Sequence, residues 1–165
     1  MAREFTVSSY NATAGAITMV GYLPSTAPNV LIRNLRHWLS QSGSTTSAMI
    51  AVELVVQASV YPTMASPTAI APNKRADGTA SVLTGAGAAT LTAGKIGITA
   101  TAEGAGSKTA FHADAFNNQN GWLNVPTPDE VLEFPASFAS SFGLYLPVAP
   151  SSTTGWQAGI VYGER

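Results

Sequence analysis

Cysteine is absent from the 165 residues, which excludes a disulfide framework and a thiolate metal site together. Charge is scarce as well. Eight basic and nine acidic residues make up 10% of the chain, where a typical soluble domain carries about a quarter. The net charge is −1, and Arg33, Arg36, Lys74, Arg75, Lys95 and Lys108 are scattered. No basic field is therefore available to draw the chain onto nucleic acid or an anionic membrane. A long uninterrupted apolar run is missing too. Pro135, Pro147 and Pro150, with "ASSFG" and "PSSTTG", break the apolar C-terminal stretch, whereas a spanning helix needs roughly 20 mainly apolar residues. "MAREFTVSSY" has no apolar segment of the signal-peptide kind, and neither heptads nor a repeat of fixed period is visible.

What replaces the charge is Ala, Thr, Ser and Gly. Lys and Glu are depleted at protein contacts, so a surface poor in them resembles an interface more than a solvent-facing exterior. The length suits one domain over residues 1–165 with a sizeable core. Short stretches rich in β-branched and aromatic residues alternate with Gly, Pro, Ser and Asn. "EFTVSSY" (4–10), "GAITMVGYL" (15–23) and "NVLIRNLRHWL" (29–39) read as strands. In the third, alternation places Val30, Ile32, Asn34, Arg36 and Trp38 on one face and Leu31, Arg33, Leu35, His37 and Leu39 on the other. "SAMIAVELVVQASVY" (47–61) is the strongest apolar strand; helix is its rival, but Val52, Val55, Val56 and Val60 favour sheet. "KIGITATA" (95–102), "TAFHADAF" (109–116), "GWLNV" (121–125), "VLEF" (131–134), "FGLYLPV" (142–148) and "GWQAGIVYG" (155–163) complete the set.

Nine or ten short strands at this spacing predict an all-β, antiparallel β-sandwich or jelly roll. Two segments fall outside it: an N-terminal arm of about residues 1–10 and a Pro-rich excursion over about 62–92. From Phe134 to Gly163 no residue carries a formal charge. The expectation is two adjacent strands of one sheet, "FGLYLPV" and "WQAGIVY", with one face on the core and the other on a second subunit.

Chemistry is sparsely signalled, and no enzyme is expected. His112 and Asp114 form an H-x-D pair whose side chains share a face on a strand, as a zinc site or acid–base pair would require. The only other histidine is His37, so the reading preferred for the pair is a satisfied hydrogen bond in a loop. Asp129, Glu130 and Glu133 could supply paired carboxylates, but "PTPDEV" reads as a turn entering a strand whose edge the carboxylates keep soluble. The glycines of "GTASVLTGAGAATLTAGK" match no phosphate-binding loop. Trp38, Trp122 and Trp156 could stack on a sugar, Trp122 especially in "NNQNGW", although core or interface is the commoner fate of tryptophan in a small β-protein. No cofactor and no metal is implied.

The order of parts resembles small all-β virion proteins of tailed bacteriophages, in particular capsid decoration or cement proteins. The likeness rests on "NVLIRNLRHWL", the Pro/Ala/Thr-rich "YPTMASPTAIAPNKRADGTASVL", then "GWLNVPTPDEVLEFPASFASSFGLYLPV" and the terminal "GWQAGIVYGER". Trp122, the acidic-apolar stretch Glu130 to Ala136 and the "GLYL" of Gly143 to Leu146 carry its details. The resemblance implies a structural protein, made in the host cytoplasm, that sits on the outside of the capsid. It would bind the major capsid protein or another virion protein and assemble with itself, often as a trimer. A receptor- or carbohydrate-binding jelly-roll module of a tail or fibre is the alternative.

Interface residues follow from these expectations. Tyr145, Trp156, Ile160 and Tyr162 are expected on a sheet face covered by neighbouring copies. Arg3 and Phe5 of the arm, with Lys74 and Arg75 of the excursion, are expected to reach the shell, by strand addition and by pairing with acidic groups.

Overall fold

The computed structural model describes residues 3–15, 17–24, 30–44, 46–65, 73–74 and 80–165, with only the backbone at 10, 11, 73 and 74. Among the described residues every regular element is a strand. In chain order they are β1 (Arg3–Ala12), β2 (Thr18–Leu23), β3 (Leu31–Gln41), β4 (Met49–Ala58), β5 (Thr63–Met64), β6 (Asn73–Lys74) and β7 (Thr84–Gly85). There follow β8 (Lys95–Ile98), β9 (Ala100–Ala102), β10 (Lys108–Asn117), β11 (Trp122–Asn124), β12 (Glu133–Pro135), β13 (Ser140–Tyr145) and β14 (Trp156–Glu164). The valine-rich segment 49–58 is strand, as β-branched crowding dictates.

Two six-stranded sheets carry the fold. One has the order β11-β3-β14-β1-β6, with β12 pairing a further part of β3; the other has the order β10-β4-β13-β2-β8-β7. All pairs are antiparallel except the short β7–β8 contact. The sheets share one apolar core. Tyr22 of the second sheet stacks on Tyr162 of the first at 6.3 Å, and Phe116 meets Trp156 edge-on at 6.3 Å, both favourable aromatic geometries. The two core tyrosine hydroxyls are both hydrogen-bonded. Tyr22 donates to Asn34 Oδ1 at 3.1 Å, and Asn34 Nδ2 donates to the Leu132 carbonyl. Burial pushes the Tyr22 and Tyr162 phenols well above their usual range.

The uncharged C-terminal run does not form neighbouring strands. β13 lies between β4 and β2, whereas β14 lies between β3 and β1 in the other sheet. Each is a central strand, so each lacks a solvent edge, and its outer face is covered by the chain itself. On β14 the outward positions include Gly159 and Gly163. The Trp38 ring lies flat on Gly159, where a Cβ would overlap it, and Leu35 Cδ1 rests 3.4 Å from where a Gly163 Cβ would sit. Over the outer face of the second sheet the turn at 103–107 folds back. Glu103 accepts hydrogen bonds from the Thr18 amide and hydroxyl, its carbonyl accepts from Gln57 Nε2, and Lys108 pairs with its carboxylate at 3.3 Å. Gly106 makes that return possible, since a Cβ there would collide with the Ala58 and Val60 carbonyl oxygens.

The N-terminal arm is corrected likewise. Residues 3–12 pair with β14 along nearly its whole length, Arg3 opposite Glu164 and Phe5 opposite Tyr162. The alternation that sends Phe5 and Val7 inward is the ordinary period of a strand over a core. The described parts of the excursion are also held: Met64, Leu83 and Leu91 are buried, and Ser81 bridges the Tyr162 hydroxyl and Glu164 Oε1. The buried Glu164 also accepts from the Val82 amide. Arg3 Nη2 stands 3.3 Å from its Oε2, off the hydrogen-bonding axis, so the contact is one of charge.

Strict alternation in β3 fails for one local reason. Tyr162 is opposite Asn34 and Val161 opposite Arg36, which leaves Leu35 without a partner. This β-bulge inverts the parity after it. Ile32 and Asn34 point inward before the bulge, His37 and Leu39 after it, and Arg36 and Trp38 are turned outward.

Candidate functional site

Functional chemistry concentrates where the two layers open, between edge strand β10 of one sheet and edge strands β11 and β12 of the other. A bulge in β10 at Phe111, between the pairs Ala110↔Val55 and His112↔Leu54, turns the Phe111 ring outward. Beyond it, His112 and Asp114 lie on the face that looks toward the other layer. Trp122 reaches across from β11, and its indole N–H donates to Asp114 Oδ2 at 3.0 Å. This bond clasps the two sheet edges. The His112 ring lies 6.1 Å from that of Trp122, centroid to centroid.

The clasp spends the aspartate. Asp114 Oδ1 accepts from the Ala115 amide at 2.7 Å, and His112 Nε2 is 4.0 Å from Oδ2, beyond hydrogen-bonding distance. The Trp122 bond, and after it the Ala115 amide, hold the Asp114 carboxyl below its usual range. The pair thus lies on a strand rather than in a loop. Its hydrogen bond is the one Asp114 accepts from Trp122, and its geometry does not suit proton transfer between His112 and Asp114.

Beside the clasp is a cleft of about 260 Å³, lined among others by Asn34, His37, Phe111, Asn124, Val125 and Leu132. His37 forms its floor and is buried. Burial pushes its imidazole down to about 4, against a smaller opposing effect of Asn124, so the ring is neutral at physiological pH. Its Nδ1 lies 3.3 Å from Asn124 Oδ1, which assigns the proton to Nδ1, and Nε2 is buried without a protein partner. Among the described residues no lysine or arginine lines the cleft. The lining combines apolar walls with amide and imidazole groups and the Glu130 carboxylate, a composition that disfavours an anion.

The acidic cluster separates into structural roles. Glu130 accepts from the Thr127 amide and hydroxyl, the reciprocal geometry of a turn cap, and these bonds hold its carboxyl below the usual range. Glu133 takes Arg33 at 2.7 Å and Arg165 at 3.2 Å. Among the described residues no three His, Asp or Glu side chains converge as a metal site would require.

The expected interface residues scatter. Phe5, Trp156, Ile160 and Tyr162 face the shared core and are buried, so none of them is offered to a second subunit. Inward alternation in a strand bounded on both sides is the physical reason. Tyr145 does stand on an outer face, half-buried, with Lys108 Nζ 5.0 Å above its ring. Burial, and then the nearby Glu103 and Glu53 carboxylates, raise its phenol pKa. Arg3 is engaged with Glu164. The Lys74 backbone pairs opposite Phe5 in β6; Arg75 lies outside the described residues. Of the tryptophans, Trp122 forms the clasp, Trp156 is core with its indole donating to the Ser152 carbonyl, and Trp38 covers Gly159.

Sequence reasoning missed the exposed apolar rim. Phe111, Leu123 and Val125 are 53%, 63% and 57% exposed, and all three belong to the edges that flank the cleft. On another part of the surface Met49 and Val148 are also exposed, around a shallow hollow lined by Ala48, Ala51 and Pro150. The signal was present in "GWLNV": of its apolar residues, alternation can bury only one set.

No protein-family model, no characterised protein and no solved structure matches this chain.

Proposed function

We propose that the chain is a structural protein of a tailed-phage virion, a β-sandwich of jelly-roll type that binds the outside of the capsid shell as a decoration or cement protein. The observation that carries a binding role, as opposed to a catalytic one, is the rim. Large apolar side chains from two sheet edges stand exposed beside a clasp whose only carboxylate is already engaged. Large apolar side chains left exposed on two sheet edges suit contact with another protein better than catalysis. The strand order supports the jelly-roll part of the reading. The first strand pairs with the last and the second with the thirteenth; the two sheets contain the runs β1-β14-β3-β11 and β2-β13-β4-β10. That nesting is the order a double Greek key, as in capsid and lectin domains, would have. The shell as partner comes from the sequence resemblance, as does self-assembly, there usually as a trimer.

The test is binding of the purified chain to empty shells. Leu123→Asp and Val125→Asp place charge on the rim without touching the core, and each should weaken shell binding while thermal stability stays within about 1 kcal/mol of the wild type. Shell binding unchanged by both substitutions would move the contact elsewhere.

A second reading, a carbohydrate-binding module of a tail or fibre, is favoured by the cleft itself, where Asn34, Asn124 and His112 surround an exposed Phe111. Saturable binding of a neutral glycan, lost in Phe111→Ala, would select that reading over the first.

A further inference from the structure

Among the described residues the two six-stranded sheets have four edges between them, and three are blunted by brevity. β6 and β7 have two residues each, and β11 and β12 three each. Short edge strands are a standard protection against unwanted pairing. β10 is the exception: ten residues long, exposed without interruption from Thr109 to Ala115, and paired on one side only, with β4. It holds no proline.

We propose that β10 is the self-association edge, pairing antiparallel with β10 of a second copy about a twofold axis at Ala113. The proposal rests on β10 alone and does not depend on the virion reading. The sequence around Ala113 is self-complementary. A twofold axis there sets His112 opposite Asp114 of the second copy, twice, and Phe111 opposite Ala115, twice. The Ala115 amide is held by the Asp114 side chain instead of by β4. That places the main-chain groups of Ala113 and Ala115 on the free side of the strand. Ala113 then forms the hydrogen-bonded pair on the axis. His112 and the second copy's aspartate form the flanking non-hydrogen-bonded pair, whose Cα atoms approach to about 4.5 Å, where opposite polarity counts most. In this contact Asp114 releases the Ala115 amide to the new ladder and turns Oδ1 to His112 of the other copy. The Trp122 bond to Oδ2 need not break. The outward side chains nearest the axis, Ala113 and Ala115, are small, which leaves room beside Ala115 for the outward Phe111 ring of the other copy.

Sedimentation of the full chain over a concentration series tests the proposal. The wild type should be dimeric, or an even-numbered assembly of dimers, at about 100 µM. Ala113→Pro removes the axial amide, which faces away from β4, and should weaken association by about tenfold or more. Ala113→Lys keeps the amide and sets two like charges on the axis; it should act in the same direction and serves if the proline variant fails its circular-dichroism control. His112→Asp should weaken association by opposing two carboxylates, and adding Asp114→His to it should restore association. A monomeric wild type, an assembly unchanged by Ala113→Lys, or a charge exchange that restores nothing in folded protein would each overturn the proposal. A trimer indifferent to these substitutions would place self-assembly on another surface.

Discussion

Ile160→Asp separates the structure from the sequence expectation most sharply. On an outer face this substitution would dissociate an assembly and leave a folded monomer. In the structure Ile160 is 2% exposed, paired with Val7 on one side and His37 on the other, and points into the core shared by the two sheets. Loss of the buried aliphatic group alone costs about 2–5 kcal/mol. A carboxylate in its place meets neutral His37 and aliphatic neighbours with no cation in the described core, adding a desolvation penalty of several kcal/mol whether it stays charged or takes up a proton. The sum, roughly 5–9 kcal/mol, is comparable to the whole stability of a domain at about 5–15 kcal/mol. Ile160→Asp should therefore be unfolded or melt well over ten degrees lower, at about 2–4 °C per kcal/mol for this length. Ile160→Val should lose only about 1 kcal/mol. Tyr145→Asp, on the outer face between Glu53 and Glu103, should stay folded. The assay is a thermal melt followed by far-UV circular dichroism, with gel filtration of the same samples. A cooperative melt of Ile160→Asp within a few degrees of wild type would refute the placement of β14 over the core.

Three further predictions follow from named contacts. Gly159→Ala should displace the Trp38 ring and lose about 2–3 kcal/mol, from roughly 100 Å² of apolar contact, with a red shift in tryptophan emission, while Gly163→Ala, which only touches Leu35, should cost less than half of that; equal costs would contradict the stacking. Glu164→Ala strips the acceptor from Ser81 and Val82 and the counter-charge from Arg3, and should cost about 3 kcal/mol or more in urea unfolding; a change under 1 kcal/mol would show that the 81–83 segment is not anchored there. His37, held neutral with its pKa lowered from 6.5 to about 4, contributes stability that is present in full above pH 6.5 and is lost as pH falls toward about 4, because the unfolded chain takes up the proton first. Between pH 7 and 4 the wild type should lose about 3 kcal/mol more than His37→Asn; parallel pH curves would contradict the burial of the ring.

The strands were legible and their partners were not. Gly, Pro and Ser punctuation and the β-branched runs set the longer elements to within a few residues, since those signals are local, while the two-residue strands β5, β6 and β7 inside the 62–92 excursion were missed. Pairing is not local: Ser9 bonds to Ala158, and nothing in either segment names the other. Reading β13 and β14 as neighbours followed from their closeness in sequence, which a nested strand order defeats. Alternation also tells which residues share a face but not whether that face is core. In β14 a discriminating signal did exist, because Trp156, Ala158, Ile160 and Tyr162 share one face while Gly159 and Gly163 share the other. Bulk belongs to the core, and glycine to the face on which a neighbouring side chain lies flat. The β3 bulge had no such signal, because Leu35 is as acceptable in a regular strand as in a bulge. At the site, the His112–Asp114 spacing was readable, but the Trp122 clasp needed the two sheet edges brought together.

The most direct measurement of the central claim is the amount of this chain in purified virus particles, determined by quantitative mass spectrometry against the major capsid protein before and after a high-salt wash. The account predicts a fixed stoichiometric ratio set by the shell lattice, retained through the wash because the proposed contact is an apolar rim and not an ionic one. A chain found only in the soluble lysate, or in particles at a trace and variable ratio, would contradict it.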